Sequence, residues 1–219
     1  MILTEDGAQL FAAALLPFLD ELKAAVDLLP GDGPGLRLNG VSSLEPFLSV
    51  SGCIGAVAGQ LLGEQARPVR AILFDKSEAA NWSLGWHQDR TICVKERREV
   101  PGFEPWTVKA GMQHVAPPAD LLSRMITVRA HLDDVPSANA PLLIAPGSHR
   151  FGRIGEERID EIVEQCGIHA CLASAGDVWA YSTPILHASE VAAEPIRRRV
   201  LQVDYAAEPL PGGLEWLGV

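Results

Sequence analysis

Apolar residues recur at helical spacing from residue 5 to 28, where Leu10, Ala14, Phe18, Leu22 and Val26 fall on one side. That pattern predicts an amphipathic helix, with Thr4 placed to cap it. Pro17 lies inside the pattern and predicts a kink. The Pro30-Gly31-Asp32-Gly33-Pro34 run ends it. A second helix is expected over 46–62, where Phe47, Ile54, Val57 and Leu61 share a face and small residues permit close packing. After Pro68 the apolar runs shorten and are separated by Gly, Pro, Asn and Asp. Strands are expected at 69–74, across His87 to Asp89, and at 125–132, 142–145, 177–181, 186–191 and 200–205, with one more helix at 157–165. Between them, 95–118 carries Gly, Pro and mixed charge with no countable period. A segment of that length reads as a functional lid or a disordered insert. Many short strands with turns favour a sandwich or closed barrel. The fold class is therefore mostly β with flanking α-helices, one unit over 1–219 in which helices at about 5–64 pack on a β core at about 68–206.

The chain has 219 residues, 47% of them hydrophobic, enough for one well-buried core. Its formal net charge of -10 argues against nucleic acid and against an anionic membrane surface as partners, which leaves a small molecule. The four cysteines form no C-x-x-C pair and are too sparse for a disulfide framework, so they read as reduced thiols of a cytoplasmic protein. No basic leader opens the chain, and no apolar run approaches the length of a membrane span.

The candidate chemistry centres on Trp86-His87-Gln88-Asp89. On an extended strand, residues two apart share a face, so His87 and Asp89 can grip one ion while Gln88 points away. His187 lies 100 residues further on, and two imidazoles with one carboxylate suit non-haem Fe(II) and leave positions open for substrate and O2. Zinc could take the same ligands with a water. Downstream, Arg197-Arg198-Arg199 open an apolar strand. A buried guanidinium matches the far carboxylate of 2-oxoglutarate in a two-pronged pair, which favours iron. Strand alternation puts Arg198, Val200, Gln202 and Asp204 on one face and Arg197, Arg199, Leu201, Val203 and Tyr205 on the other, without choosing which faces inward. His114 and Trp86 are candidate substrate-pocket residues, and Trp82 and Trp106 could wall the same pocket. His131, His149 and His169 read as structural.

The ordered set His87-x-Asp89, Leu142-Leu143-Ile144-Ala145-Pro146-Gly147-Ser148-His149, His187-Ala188-Ser189 and Arg198 resembles the phytanoyl-CoA dioxygenase family of Fe(II)/2-oxoglutarate oxygenases, over roughly residues 69–205. The resemblance implies a double-stranded β-helix, or jelly-roll, core. It also implies that His87, Asp89 and His187 bind Fe(II), that Arg198 and Ser189 hold the distal carboxylate of 2-oxoglutarate, and that O2 completes the reaction. The expected activity is hydroxylation of a small-molecule metabolite with release of succinate and CO2. The alternative is a cupin-like metal enzyme or binding protein that does not use 2-oxoglutarate and has no need of Arg198. The chain departs from the family at Ala140 and Ala188, where Gly is common. Neither change removes a metal-binding atom.

Overall fold

The computed structural model describes residues 1–30 and 35–219, so most of the Pro30 to Pro34 turn lies outside the described residues. In chain order the helices are α1 (Leu3–Asp6), α2 (Leu19–Asp27), α3 (Glu45–Leu48), α4 (Cys53–Leu62), α5 (Ala119–Ser123) and α6 (Ile159–Cys166). The strands are β1 (Ala8–Phe11), β2 (Leu36–Leu38), β3 (Arg67–Lys76), β4 (Leu84–His87), β5 (Ile92–Val94), β6 (Trp106–Lys109), β7 (Met112–Val115), β8 (Ile126–His131), β9 (Leu142–Ile144), β10 (His169–Cys171), β11 (Val178–Ser182), β12 (His187–Ser189) and β13 (Arg198–Ala206).

Two antiparallel sheets build a jelly roll, one ordered β1-β11-β8-β13-β3-β2 and the other β10-β9-β12-β4. Alternation divides the larger sheet. Its outward residues, among them Leu73, Val128, Leu201, Val203 and Tyr205, join Leu22, Val26, Leu48, Ile54 and Val57 of the N-terminal helices in the main apolar core. The Tyr205 hydroxyl donates to the Leu48 carbonyl, 2.9 Å away, and ties strand to helix. Between the sheets, Leu142 and Ile144 of the smaller one meet Trp179 and Tyr181 of the larger.

The expected helix over 5–28 is largely a different structure. Gly7, at φ 77°, stops α1 after one turn, and residues 8–11 pair as an edge strand with β11, Ala8 opposite Tyr181. Ala13, at φ 57°, turns the chain again before α2. Pro17 stands in the short 3-10 turn that leads into α2, where its missing N–H costs nothing, and does not kink a helix interior. A helical spacing of apolar residues could not reveal a sheet edge waiting to be filled. The expected 46–62 helix is two pieces, α3 and α4, broken at residues 49–52. A Cβ on Gly52 would lie 2.1 Å from the Pro46 carbonyl oxygen, so only glycine lets the chain fold back so tightly there.

The 95–118 segment is an ordered hairpin and not a structureless insert. β6 and β7 pair through a two-residue turn with Ala110 and Gly111 both at positive φ, and β5 adds a third strand. Sequence alone hides this because Ala-Gly lacks the Asn-Gly or Asp-Gly signature. The helix expected at 157–165 and the remaining strands stand within two residues of their expected ends, apart from the one that carries His87, while β2, β5 and β10 were not foreseen. Among the described residues no single helix is long and apolar enough to cross a membrane.

Candidate active site

β12 pairs with β4 so that His187 lies directly opposite His87, their ring centroids 4.2 Å apart. Antiparallel register thus joins two imidazoles that are 100 residues apart in sequence. β4 ends at His87, so Asp89 follows the strand and does not lie on it. It nonetheless returns to the same side, and one donor atom from each of His87, Asp89 and His187 lies within 4.8 Å of the others.

The turn that makes this possible is held by Gln88. Its amide donates to the carbonyls of Gly152 at 2.8 Å and Pro184 at 2.7 Å, and its oxygen accepts from the Ile154 N–H at 2.9 Å. With Gln88 buried and fully engaged, His87 and Asp89 are left facing inward. The Nδ1 of His87 lies 2.7 Å from the Gly85 carbonyl and that of His187 lies 3.0 Å from the Ile185 carbonyl. An Nδ1–H donated to a carbonyl places the lone pair on Nε2, the form a metal requires. His187 is only 5% exposed. Burial, with His87 beside it, outweighs the pull of Asp89 and lowers its pKa to about 4, so it is neutral at pH 7.

Arg70, on β3, fixes the carboxylate. Its Nη2 lies 3.2 Å from Asp89 Oδ2, its Nε donates to Asp204 at 2.6 Å, and Thr127 donates to the other oxygen of Asp204. Gln202 also reaches Asp89 Oδ2, at 3.4 Å. Burial would raise the Asp89 pKa, but Arg70 and the two histidines outweigh it and bring it to about 2. Two imidazoles and an ionised carboxylate converge on one point, the donor set that fits Fe(II) with a face left open.

The open face gives onto a cavity of about 1500 Å³, its mouth included. On its wall, Arg198 is 3% exposed; its Nη1 donates to the Ala140 carbonyl and its Nε has no partner. Ala140 sits at φ 48°, a left-handed conformation that glycine adopts more readily. Lys76, opposite Arg198 in register, donates to Ser189 Oγ at 3.0 Å. Burial, then Arg198 and Arg129, lower its pKa to about 8. Arg129 donates to Gln202 at 2.6 Å and lies over the Phe74 ring, its Nε buried and unpartnered. Arg197 and Arg199, by contrast, pair with Asp75, Asp27 and Asp133 on the outer side.

Two candidates do not join this wall. His114 is 1% exposed, with Nε2 3.0 Å from Cys93 Sγ and Nδ1 at the Met112 carbonyl, inside the three-stranded sheet. Trp86 packs on the α6 cluster and borders a shallower recess with Glu156 and Asp160. Trp82 does line the cavity, whereas Trp106 packs in the core beneath the hairpin. Sequence reasoning missed Arg70, Lys76, Arg129 and Gln202. Alternation along 70–76 and 126–131 was the available signal, since Arg70, Ile72, Phe74 and Lys76 share one face of a strand.

A jelly roll with a two-histidine, one-carboxylate cluster at an open cavity defines the class of non-haem iron oxygenases. The phytanoyl-CoA dioxygenase (PhyH) family matches residues 52–200, and the chain belongs to that family of Fe(II)- and 2-oxoglutarate-dependent oxygenases. No curated protein matches the chain. Among solved structures it is similar in fold to EctD from S. alaskensis, at TM-score 0.67 and 20% identity, covering 99% of this chain and 78% of that one. AviO1 from Streptomyces viridochromogenes Tue57 gives TM-score 0.63 and 18% identity over 95% of each chain. HygX from Streptomyces hygroscopicus, solved with nickel and 2-oxoglutarate, gives 0.59 and 14% over 93% of this chain and 84% of that one.

Proposed function

We propose that the protein hydroxylates a small-molecule metabolite, with Fe(II) held by His87, Asp89 and His187, and with the distal carboxylate of 2-oxoglutarate held by Arg198 and Ser189. The observation that carries this reading is the pairing, on one cavity, of the three-donor cluster with a buried arginine whose Nε has no partner among the described residues. Iron with 2-oxoglutarate and O2 bound supplies the oxidation of a substrate C–H, with succinate and CO2 released.

The chain's own residues set the conditions for that chemistry. His87 and His187 present Nε2 because backbone carbonyls fix their tautomers. Arg70 and Gln202 both occupy Oδ2 of Asp89, which leaves Oδ1 for the metal. Lys76 donates to the Ser189 hydroxyl, which leaves that hydroxyl its own proton to give to a carboxylate. Phe74, Ile72 and Trp82 give the cavity apolar wall and exclude water.

Anaerobic Fe(II) with 2-oxoglutarate should produce a weak visible charge-transfer band, and air should then release succinate. Asp89→Ala should lose both. A variant that retains iron affinity and succinate release overturns the assignment of the triad.

A further inference from the structure

Although the chain carries a net charge of -10, six of the cations that meet no carboxylate among the described residues line one cavity. Elsewhere Lys23, Lys95, Arg97, Arg98, Arg124 and Arg158 each meet a carboxylate. Around the cavity, Arg37, Lys76, Arg90, Lys109, Arg129 and Arg198 do not, among the described residues. The cavity's one carboxylate, Asp89, is already taken by Arg70. Low-dielectric walls lined by one sign of charge focus a field on whatever enters.

One 2-oxoglutarate cannot answer all of these cations. With its keto-acid end at the triad and its other end on Arg198, both its charges are used. Of the five others, Lys76, Arg90 and Arg129 already donate to Ser189, the Ile154 carbonyl and Gln202, which leaves Arg37 and Lys109. Arg37 lies on β2 in register with Ile72, four residues along β3 from Lys76, or about 13 Å at the rise of a strand. It is half-buried, and its Nε is buried with no partner among the described residues. Lys109 ends β6 at the turn of the β6–β7 hairpin and is the residue through which the 95–118 segment reaches the cavity. Both stand near the buried Cys93–His114 pair, where burial raises the thiol and lowers the imidazole and Arg70, Arg37 and Lys109 exert smaller effects.

We propose that the prime substrate carries an anionic group, a carboxylate or a phosphate ester, and that Arg37 of β2 and Lys109 of the β6–β7 hairpin bind it in the cavity. The proposal rests on the oxygenase reading for the identity of the site, and it adds the class of substrate. Ile72 and Phe74, between the two cationic zones, suit an apolar stretch between the anionic group and the carbon to be oxidised.

The test uses the full chain loaded anaerobically with Fe(II) and saturating 2-oxoglutarate, titrated calorimetrically with inorganic phosphate, benzoate and the neutral benzamide. At least one anion should bind while benzamide does not, and the tighter of the two identifies the group. Arg37→Gln and Lys109→Gln should each weaken that anion by about tenfold, the scale of one lost charge-assisted hydrogen bond. The charge-transfer band and melting temperature should stay unchanged in both variants. Anion binding that vanishes once 2-oxoglutarate saturates the protein, or that ignores both substitutions, overturns the proposal. So does benzamide binding as well as benzoate. Failure of the iron reading shows separately as a missing charge-transfer band, and the same titration on metal-free protein then decides the anion site by itself.

Discussion

Replacing Arg70 with Met removes the one cation that Asp89 and Asp204 share. Its guanidinium is buried, with Nε 2.6 Å from Asp204 and Nη2 3.2 Å from Asp89. Burial by itself would lower the Arg70 pKa, but the two carboxylates outweigh it and raise it, so the group is a fixed charge. Met fills similar space without charge and leaves Asp204, 2% exposed, with only the Thr127 hydroxyl. Breaking one partner of a buried ion pair costs about 3–5 kcal/mol, because the other charge stays buried and uncompensated. For a chain of this length about 2–4 °C of melting temperature follows each kcal/mol, so Arg70→Met should melt roughly 6–20 °C lower. Adding Asp204→Leu removes the stranded charge and should return much of that loss. It should not restore iron affinity, because Asp89 is still unclamped and free to swing or take a proton. Differential scanning fluorimetry and Fe(II) titration, each on the single and double variants, separate the two effects. A double variant no more stable than the single, or an Arg70→Met protein with unchanged Fe(II) affinity, refutes the reasoning.

Arg198→Ala should raise the 2-oxoglutarate requirement by about 2–5 kcal/mol, whereas Arg197→Ala should leave it unchanged and Arg199→Ala should lower melting temperature instead; titration of 2-oxoglutarate against succinate release decides among them. Fe(II) at a hundredfold excess over its dissociation constant should stabilise the protein by about 2.7 kcal/mol, an increment that chelator removes and that Asp89→Ala never shows in a thermal melt. His131 is 2% exposed, neither ring nitrogen has a partner, and burial, then Arg129 and Arg198, lower its pKa to about 3. The unfolded chain therefore takes a proton near pH 6.5 that the folded chain refuses, and stability falls as pH drops from 6.5 toward 3. At pH 5 that loss is about 2 kcal/mol, so His131→Met should flatten urea-derived stability between pH 6.5 and 5; an unchanged slope counts against it.

The strands of the jelly roll were legible because each carries its own signal, an apolar run or an alternation bounded by Gly and Pro. What failed was the identity of elements whose conformation is decided by a distant partner. Residues 8–11 have helical spacing, yet β11 offers an unpaired edge 170 residues away, and its ladder outweighs a weak local preference. The β6–β7 hairpin failed for the opposite reason: its turn is local, but Ala110 occupies a positive φ that Ala rarely adopts.

The site shows the same division. Arg198 was singled out only through the family resemblance, whereas His87, Asp89 and His187, which the structure brings together, could be picked out by residue type and order. Which face of β13 turns inward could not, because the outward face is the more apolar: Leu201, Val203 and Tyr205 bury against helices while Arg198, Gln202 and Asp204 face a polar lumen. An inward face that is polar reverses the usual rule and requires partners. Arg70 supplies two of them, to Asp204 and Asp89, from a strand that pairs with β13 in antiparallel register. Gln202 supplies the next by joining Arg129 to Asp89. Polar residues scattered through apolar strands, each unexplained alone, become one network when the register places them side by side. Arg37 and Lys109, which line the same cavity and stand outside that network, are the cations proposed to meet a substrate anion.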